Sequence, residues 1–105
     1  TNLSSEIFML EQLEKIAISL ERRLKKHAIA GKTVTLKIKY SDFTQQTRSK
    51  TVPYFIADKG LIFENVKELL YQERMKDSVR LLGISLSNLN TEQKKTVVVQ
   101  LQFAF

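Results

Sequence analysis

The residues best suited to chemistry in this 105-residue chain are its lysines and arginines, whose placement is uneven. Ten of the 17 basic residues lie between positions 15 and 50, where only Glu21 and Asp42 are acidic. This window carries a surplus of eight positive charges, although the formal net charge of the whole chain is +6. A basic run is also typical of a solvated helix face. Because the surplus continues into predicted strands, it favours a surface that attracts polyanions.

Other residue types offer no credible catalytic centre. The chain has no cysteine, which removes thiolate nucleophiles and most zinc sites, and His27 is its single histidine. The residues Gly-Lys-Thr at 31–33 resemble the end of a phosphate-binding loop, but Lys26 stands where that motif needs its first glycine. Asp42 has no second acid close in sequence with which to share a divalent cation. We therefore expect neither catalytic residues nor a metal site.

Two amphipathic helices are predicted to support this surface. The first begins at a cap formed by Ser4 or Ser5 and runs to about Ala30, where Gly31 can take a positive φ and end it. Its apolar residues recur three or four positions apart and comprise Ile7, Leu10, Leu13, Ala17, Leu20, Leu24 and Ala28. The second helix spans about 59–74 behind an Asp58 cap.

The remaining segments predict strands. Residues 33–40 alternate between apolar side chains and a polar set that includes Lys37 and Lys39. A second strand follows a short turn, runs from Phe43 to Val52 and ends at Pro53; a third covers 78–89. We therefore predict an α+β fold: a small, mostly antiparallel sheet of three or four strands, with two helices packed on one face and the other face open.

Two stretches resemble a known family. They are Lys-Ile-Lys-Tyr-Ser-Asp-Phe-Thr-Gln-Gln-Thr-Arg-Ser at 37–49 and Val-Arg-Leu-Leu-Gly-Ile-Ser-Leu-Ser-Asn-Leu at 79–89. Together they closely resemble the C-terminal little-finger domain of Y-family translesion DNA polymerases of the bacterial polymerase IV type. The resemblance covers nearly the whole chain. It implies a β-α-β-β-α-β topology whose first strand would precede Thr1.

The resemblance implies that the open sheet face lies across the major groove of the primer–template duplex and holds both phosphate backbones. The matching positions are Lys37, Lys39, Ser41, Thr47, Arg48, Ser49, Lys50 and Arg80. Solvated strand lysines, and a pair between Arg80 and Asp77, are the alternatives for these residues. The parent would be a DNA-directed DNA polymerase that uses magnesium. The carboxylates that hold this metal belong to the family's palm domain, so we expect no cofactor in this chain.

The tail from 96 to 105 follows a predicted DNA-binding domain at 1–95. Its Gln-Leu-Gln-Phe-Ala-Phe ending resembles the peptide by which bacterial polymerases bind the sliding clamp. Gln100, Leu101, Phe103 and Phe105 would make that contact, although Phe103 and Ala104 depart from the usual Leu-Phe. The same residues alternate as an edge strand does. As a strand, the tail could fill a vacant sheet position in its own molecule or in a neighbour, which would give a strand-exchanged dimer.

Our main hypothesis from the sequence is a DNA-binding accessory domain of an error-prone polymerase acting in translesion synthesis. A protein-interaction module for clamp tethering is the alternative. An RNA-binding α/β module ranks lower, because the predicted sheet lacks paired surface aromatics. The apolar runs are too short to span a bilayer, and a chain without cysteine suits the cytoplasm, so we expect a soluble cytoplasmic protein.

Overall fold

Helices and strands alternate in the order α-β-β-α-β-β in the computed structural model, which describes residues 6–72, 79–91 and 96–102. The elements are α1 (Glu6–Lys26), β1 (Gly31–Tyr40), β2 (Gln45–Ile56), α2 (Lys59–Leu70), β3 (Val79–Leu89) and β4 (Thr96–Gln102). The caps Ser4 and Ser5 predicted for the first helix lie outside the described residues. Within the described part, neither helix is long and apolar enough to cross a membrane.

The four strands form one antiparallel sheet in the order β2-β1-β3-β4. The predicted α+β fold is therefore confirmed. β1 is an interior strand, and its Lys37 lies opposite Thr47 of β2 on one side and Gly83 of β3 on the other. β4 lies at the edge beside β3, where Leu101 is opposite Leu82.

Both helices pack on one face of the sheet because their apolar stripes meet the apolar side of β1. The fully buried residues of β1 are Val34, Leu36, Ile38 and Tyr40. They share a core with Met9, Leu13, Ile16, Ala17, Leu20 and Leu24 of α1 and with Ile62, Val66, Leu69 and Leu70 of α2. The predicted stripe of α1 is confirmed at Leu13, Ala17, Leu20 and Leu24, but in the first turn Ile7 is 71% exposed and Met9 is buried instead. The opposite sheet face carries no helix among the described residues.

Gly31 does not end α1 in the predicted way. Ala28 supplies the positive φ, 53°, and the Ile29 amide donates to the Leu24 carbonyl at 2.8 Å to close the helix. Gly31 instead begins β1, where a Cβ would lie 2.7 Å from Cγ of Leu86 and 2.7 Å from the carbonyl oxygen of Ser87. Glycine is therefore required there by the close approach of β3 and not by the helix end.

Pro53 does not end the second strand, so that prediction is wrong. β2 continues to Ile56, and its register against β1 shifts between the pairs Thr33–Thr51 and Gly31–Ile56. β2 is an edge strand, and a proline without an amide hydrogen is tolerated at a sheet edge or at an irregularity. The predicted Asp58 cap of α2 is confirmed, because its carboxylate accepts from the amides of Gly60 at 2.9 Å and Leu61 at 3.2 Å.

Candidate nucleic-acid interface

The candidate interface is the sheet surface opposite the helices, which we call the open face. Side chains alternate along each strand, so the residues between the buried ones point to this surface. The strand pairing places the following residues on it: Thr33, Thr35, Lys37, Lys39, Thr47, Ser49, Thr51, Leu81, Gly83, Ser85, Ser87, Val98 and Gln100. Most of these side chains are hydroxyls, amides or amines, which makes the open face polar as predicted.

Hydroxyl pairs tie β1 to β2 across the open face. The Oγ1 atoms of Thr33 and Thr51 lie 2.8 Å apart, and Oγ1 of Thr35 lies 2.8 Å from Oγ of Ser49. Such cross-strand pairs stabilise a sheet. In each pair one hydroxyl donates to the other, so the accepting hydroxyl keeps its own proton for a further acceptor such as a phosphate oxygen.

Basic residues lie on both sides of the sheet, whereas the described strands contain no acidic residue. The four described strands contain six lysines and arginines and no acid. The described acids lie on α1 and α2, at the Asp58 cap and in the turn at Asp42. Lys37 and Lys39 are half-buried on the open face, and within the described residues neither has a carboxylate partner. Among the described residues, the charges of Lys37 and Lys39 are therefore not neutralised by an ion pair.

Several predicted site residues come together on this surface. Lys37, Lys39, Thr47 and Ser49 share the open face, with Lys37 directly opposite Thr47. Ser41 is exposed in the turn that follows β1. Arg80 lies at a register irregularity between β1 and β3, beside Lys39. Asp77, the alternative partner for Arg80, is outside the described residues.

The prediction that Arg48 contributes to the open face is wrong. Arg48 is only 9% exposed and points to the helix side. Its Nη1 donates to the carbonyls of Leu69 at 2.9 Å and Leu70 at 3.0 Å, and its Nη2 donates to Oε1 of Gln46 at 2.8 Å. The last carbonyls of a helix have no partner within the helix and carry partial negative charge. Arg48 therefore caps the C-terminal end of α2 and joins this helix to β2.

Lys50 is also on the helix side, two residues further along β2. Its Nζ donates to Oε2 of Glu68, so the ion pair joins β2 to α2. Both side chains are substantially exposed to solvent, which makes the pair a weak contributor to stability. The prediction that Lys50 faces the DNA side together with Thr47 and Ser49 is therefore wrong.

The predicted clamp-binding residues divide between the described and undescribed parts of the tail. Gln100 and Leu101 belong to β4, and Leu101 is half-buried against the core. Gln100 lies opposite Gly83, where an added Cβ would come within 3.1 Å of Cβ of Gln100. Phe103 and Phe105 lie outside the described residues.

Phe43 is a feature of this surface that the sequence prediction missed. It follows a tight turn in which its amide donates to the Tyr40 carbonyl at 3.0 Å, and its φ is 69°. Hairpin loops of this kind favour glycine at the left-handed position, and another residue there costs about 1 kcal/mol. The ring is 65% exposed, with Cζ of Arg80 4.7 Å and Nζ of Lys39 5.9 Å from its centroid. The sequence did contain a signal for this residue, because it has a phenylalanine at a loop position where hairpins favour glycine.

A cavity of about 370 Å³ lies between the end of α1 and β4. It is lined by Arg23, Lys26, His27, Ile29, Thr96, Val97 and Val98, and Nη1 of Arg23 donates to the Val98 carbonyl at 3.0 Å. Across residues 6–72, 79–91 and 96–102, no three histidines or acids are grouped as a metal site requires.

Comparison with known proteins gives the class to which this arrangement belongs. Curated relatives include DNA polymerase IV of Leptospira interrogans, which is 46% identical over 94 residues, or 82% of this chain and 26% of that protein. DNA polymerase IV of Clostridium perfringens is 45% identical over 82 residues, covering 77% of this chain and 23% of that protein. For DNA polymerase IV of Akkermansia muciniphila the identity is 36% over 92 residues, with 87% of this chain and 26% of that protein covered.

The two-helix, four-stranded fold and these relatives define a C-terminal little-finger domain of the Y-family DNA polymerases. Residues 1–103 match the model of the impB/mucB/samB family C-terminal domain, and the chain belongs to that family. The predicted resemblance is thereby confirmed. The chain spans about a quarter of the length of the curated relatives it matches.

Proposed function

We propose that this chain is the duplex-DNA-binding domain of an error-prone DNA polymerase that acts in translesion synthesis. The observation that carries the proposal is that Lys37 and Lys39 lie among hydroxyls on the open face of a sheet whose described strands contain no acid. Family membership supports it, since the relatives are DNA polymerases. Nucleotidyl transfer, and the magnesium it would use, are assigned to other parts of the whole polymerase.

The proposed mechanism is a grip on the sugar–phosphate backbone. Lysines that neutralise phosphates release condensed counterions, and the hydroxyls of Thr47 and Ser49 can donate hydrogen bonds to phosphate oxygens. None of these contacts has to read the edge of a base. A domain that holds the duplex in this way would tolerate a damaged template base, which is the property that translesion synthesis needs.

Binding of the unmodified chain to duplex oligonucleotides tests this proposal. We expect similar affinities for duplexes of unrelated sequence, and an affinity that falls steeply between about 0.05 and 0.2 M salt. Single-stranded RNA should compete poorly, because the open face of the described residues carries no aromatic pair for stacking. Affinity that depends strongly on base sequence, or that is insensitive to salt, would contradict a phosphate grip.

We also propose that the tail binds the bacterial sliding clamp in the whole polymerase. Its Gln100-Leu101 pair and the two following phenylalanines would supply a polar contact and apolar anchors. Because Gln100 and Leu101 pair with β3, the end of β4 would have to leave the sheet edge in order to enter a clamp pocket.

Replacing Phe103 and Phe105 by alanine should reduce clamp binding at least tenfold, since buried aromatic anchors typically contribute about 2 kcal/mol or more. Duplex DNA binding should stay unchanged, because the open face is intact. Surface plasmon resonance with immobilised clamp and fluorescence anisotropy with labelled duplex give the two readouts. Undiminished clamp binding by this variant would exclude the tail as the contact.

A further inference from the structure

We infer that Lys39, Phe43 and Arg80 form one phosphate-binding unit at the hairpin end of the open face, in which the Phe43 ring positions both cations. We call these three residues the hairpin cluster. Cζ of Arg80 and Nζ of Lys39 lie 4.7 and 5.9 Å from the ring centroid, within the range of cation–π attraction. The inference rests on the proposed duplex binding and adds to it a residue that carries no charge.

The backbone at Phe43 supplies an independent reason to assign it a role. A bulky residue with a φ of 69° is strained, and such strain persists where the surrounding structure or function requires it. Burial does not explain it, because the ring is 65% exposed. The turn itself is held by Asp42, whose Oδ1 accepts from the Thr44 amide at 3.0 Å and from its hydroxyl at 2.6 Å. The turn therefore does not need the phenyl ring.

The chemistry of the hairpin cluster suits a phosphodiester. Long, flexible lysine and arginine side chains lose rotamer freedom when they bind, and contact with the Phe43 ring restricts them beforehand. Asp42 is the acid nearest in sequence to the ring, and the cluster with Asp42 included still has a net charge of +1. A singly charged backbone phosphate matches this charge.

A double-mutant cycle measured by fluorescence anisotropy on a labelled DNA duplex tests the inference. Phe43→Leu keeps an apolar side chain but removes the ring face, and we expect it to weaken binding roughly three- to fivefold. The salt slope should not change, because the variant keeps every cation. In a Lys39→Ala, Arg80→Ala background the same change should have no effect, since the ring then has nothing to position. Phe43→Trp, which keeps an aromatic face, should retain the affinity.

Two further variants separate this role from a structural one. Phe43→Gly relieves the strained φ and should raise the midpoint of thermal unfolding by about 4 °C while it weakens binding. Phe55→Leu is the matched control: Phe55 is also exposed and has Nζ of Lys32 4.7 Å from its ring centroid, but it lies at the other end of β1 and β2. We expect Phe55→Leu to leave the affinity unchanged.

The outcomes of the two proposals are distinguishable. If Lys37→Ala weakens binding and Phe43→Leu does not, duplex binding stands and the role of the hairpin cluster is overturned. Equal losses from Phe43→Leu with and without Lys39 and Arg80 would also overturn it, as would equal losses from Phe43→Leu and Phe55→Leu. The proposed function itself fails if duplex binding is unchanged both in the single variant Lys37→Ala and in the double variant that carries Lys39→Ala and Arg80→Ala.

Discussion

Replacing Lys37 and Lys39 together by glutamate is expected to weaken duplex DNA binding roughly 100-fold at about 0.1 M salt. Each lysine that neutralises a phosphate adds affinity through counterion release, and a carboxylate in its place repels that phosphate. β1 is an interior strand, so both side chains lie near the middle of the open face. The slope of log affinity against log salt should fall by about 2, since each phosphate that is no longer neutralised lowers it by about 0.9.

A second pair of charge reversals provides the matched control. Lys15 and Lys26 are exposed on α1, on the other side of the domain from the open face. Changing both to glutamate alters the net charge by the same amount, but we expect a much smaller loss of affinity and an unchanged salt slope. Fluorescence anisotropy titrations at several salt concentrations measure both quantities. If the two double variants lost affinity equally, net charge alone would explain binding and the open face would have no special role.

Replacing Arg48 by alanine is expected to lower the free energy of unfolding by about 3 kcal/mol. The substitution leaves the buried carbonyls of Leu69 and Leu70 without their charged donor and leaves Oε1 of Gln46 without one of its two donors. With an m-value of about 1–3 kcal/mol/M, the midpoint of urea unfolding should fall by roughly 1–3 M. Circular dichroism during urea titration measures this shift.

Two further variants, Arg48→Lys and Lys50→Ala, test whether the lost stability comes from the hydrogen bonds of the guanidinium group. Lysine keeps the charge but lacks the planar fork that reaches two carbonyls and a side-chain amide at once, so we expect it to recover only part of the stability. Lys50 lies on the same side of β2, and its ion pair with Glu68 is exposed, so Lys50→Ala should change stability by less than about 0.5 kcal/mol.

DNA binding by the Arg48 variants provides a second readout. At temperatures where Arg48→Ala remains folded, its salt slope on duplex DNA should equal that of the unmodified chain, because the guanidinium lies behind the sheet. A slope reduced by about one unit would mean that Arg48 reaches a phosphate after all. Stability equal to that of the unmodified chain would mean that α2 does not depend on this cap.

Much of the fold could be predicted because a helix or strand with one apolar side must turn that side to the core. The alternation at 33–40 placed Lys37 and Lys39 away from the core, and the structure agrees because Val34, Leu36 and Ile38 are fully buried. The Asp58 cap was also predictable, since it depends on neighbouring amides alone. The start of α1's buried stripe could not be predicted in this way, because Ile7 and Met9 are both apolar and only packing selects Met9.

β2 shows where the sequence has no such signal. Alternation alone requires Thr47 and Ser49 to face one way and Arg48 and Lys50 the other, so four consecutive residues cannot all contact DNA. Both sides of this stretch are polar, and hydrophobicity therefore does not say which side meets the helices. α2 settles the question, because the carbonyls of Leu69 and Leu70 at its C-terminal end accept hydrogen bonds from Arg48.

The amino-acid sequence by itself determined the element types, the α+β class and the family, because these depend on local periodicity and on motifs read along the chain. Only the tertiary structure decided which cations remain on the open face and which stabilise the helix side. That division depends on contacts between residues far apart in the chain, such as Arg48 with Leu69 and Leu70. The strained Phe43 between Lys39 and Arg80 belongs to the same category, since β1 and β3 bring the two cations to one ring only after the sheet has formed.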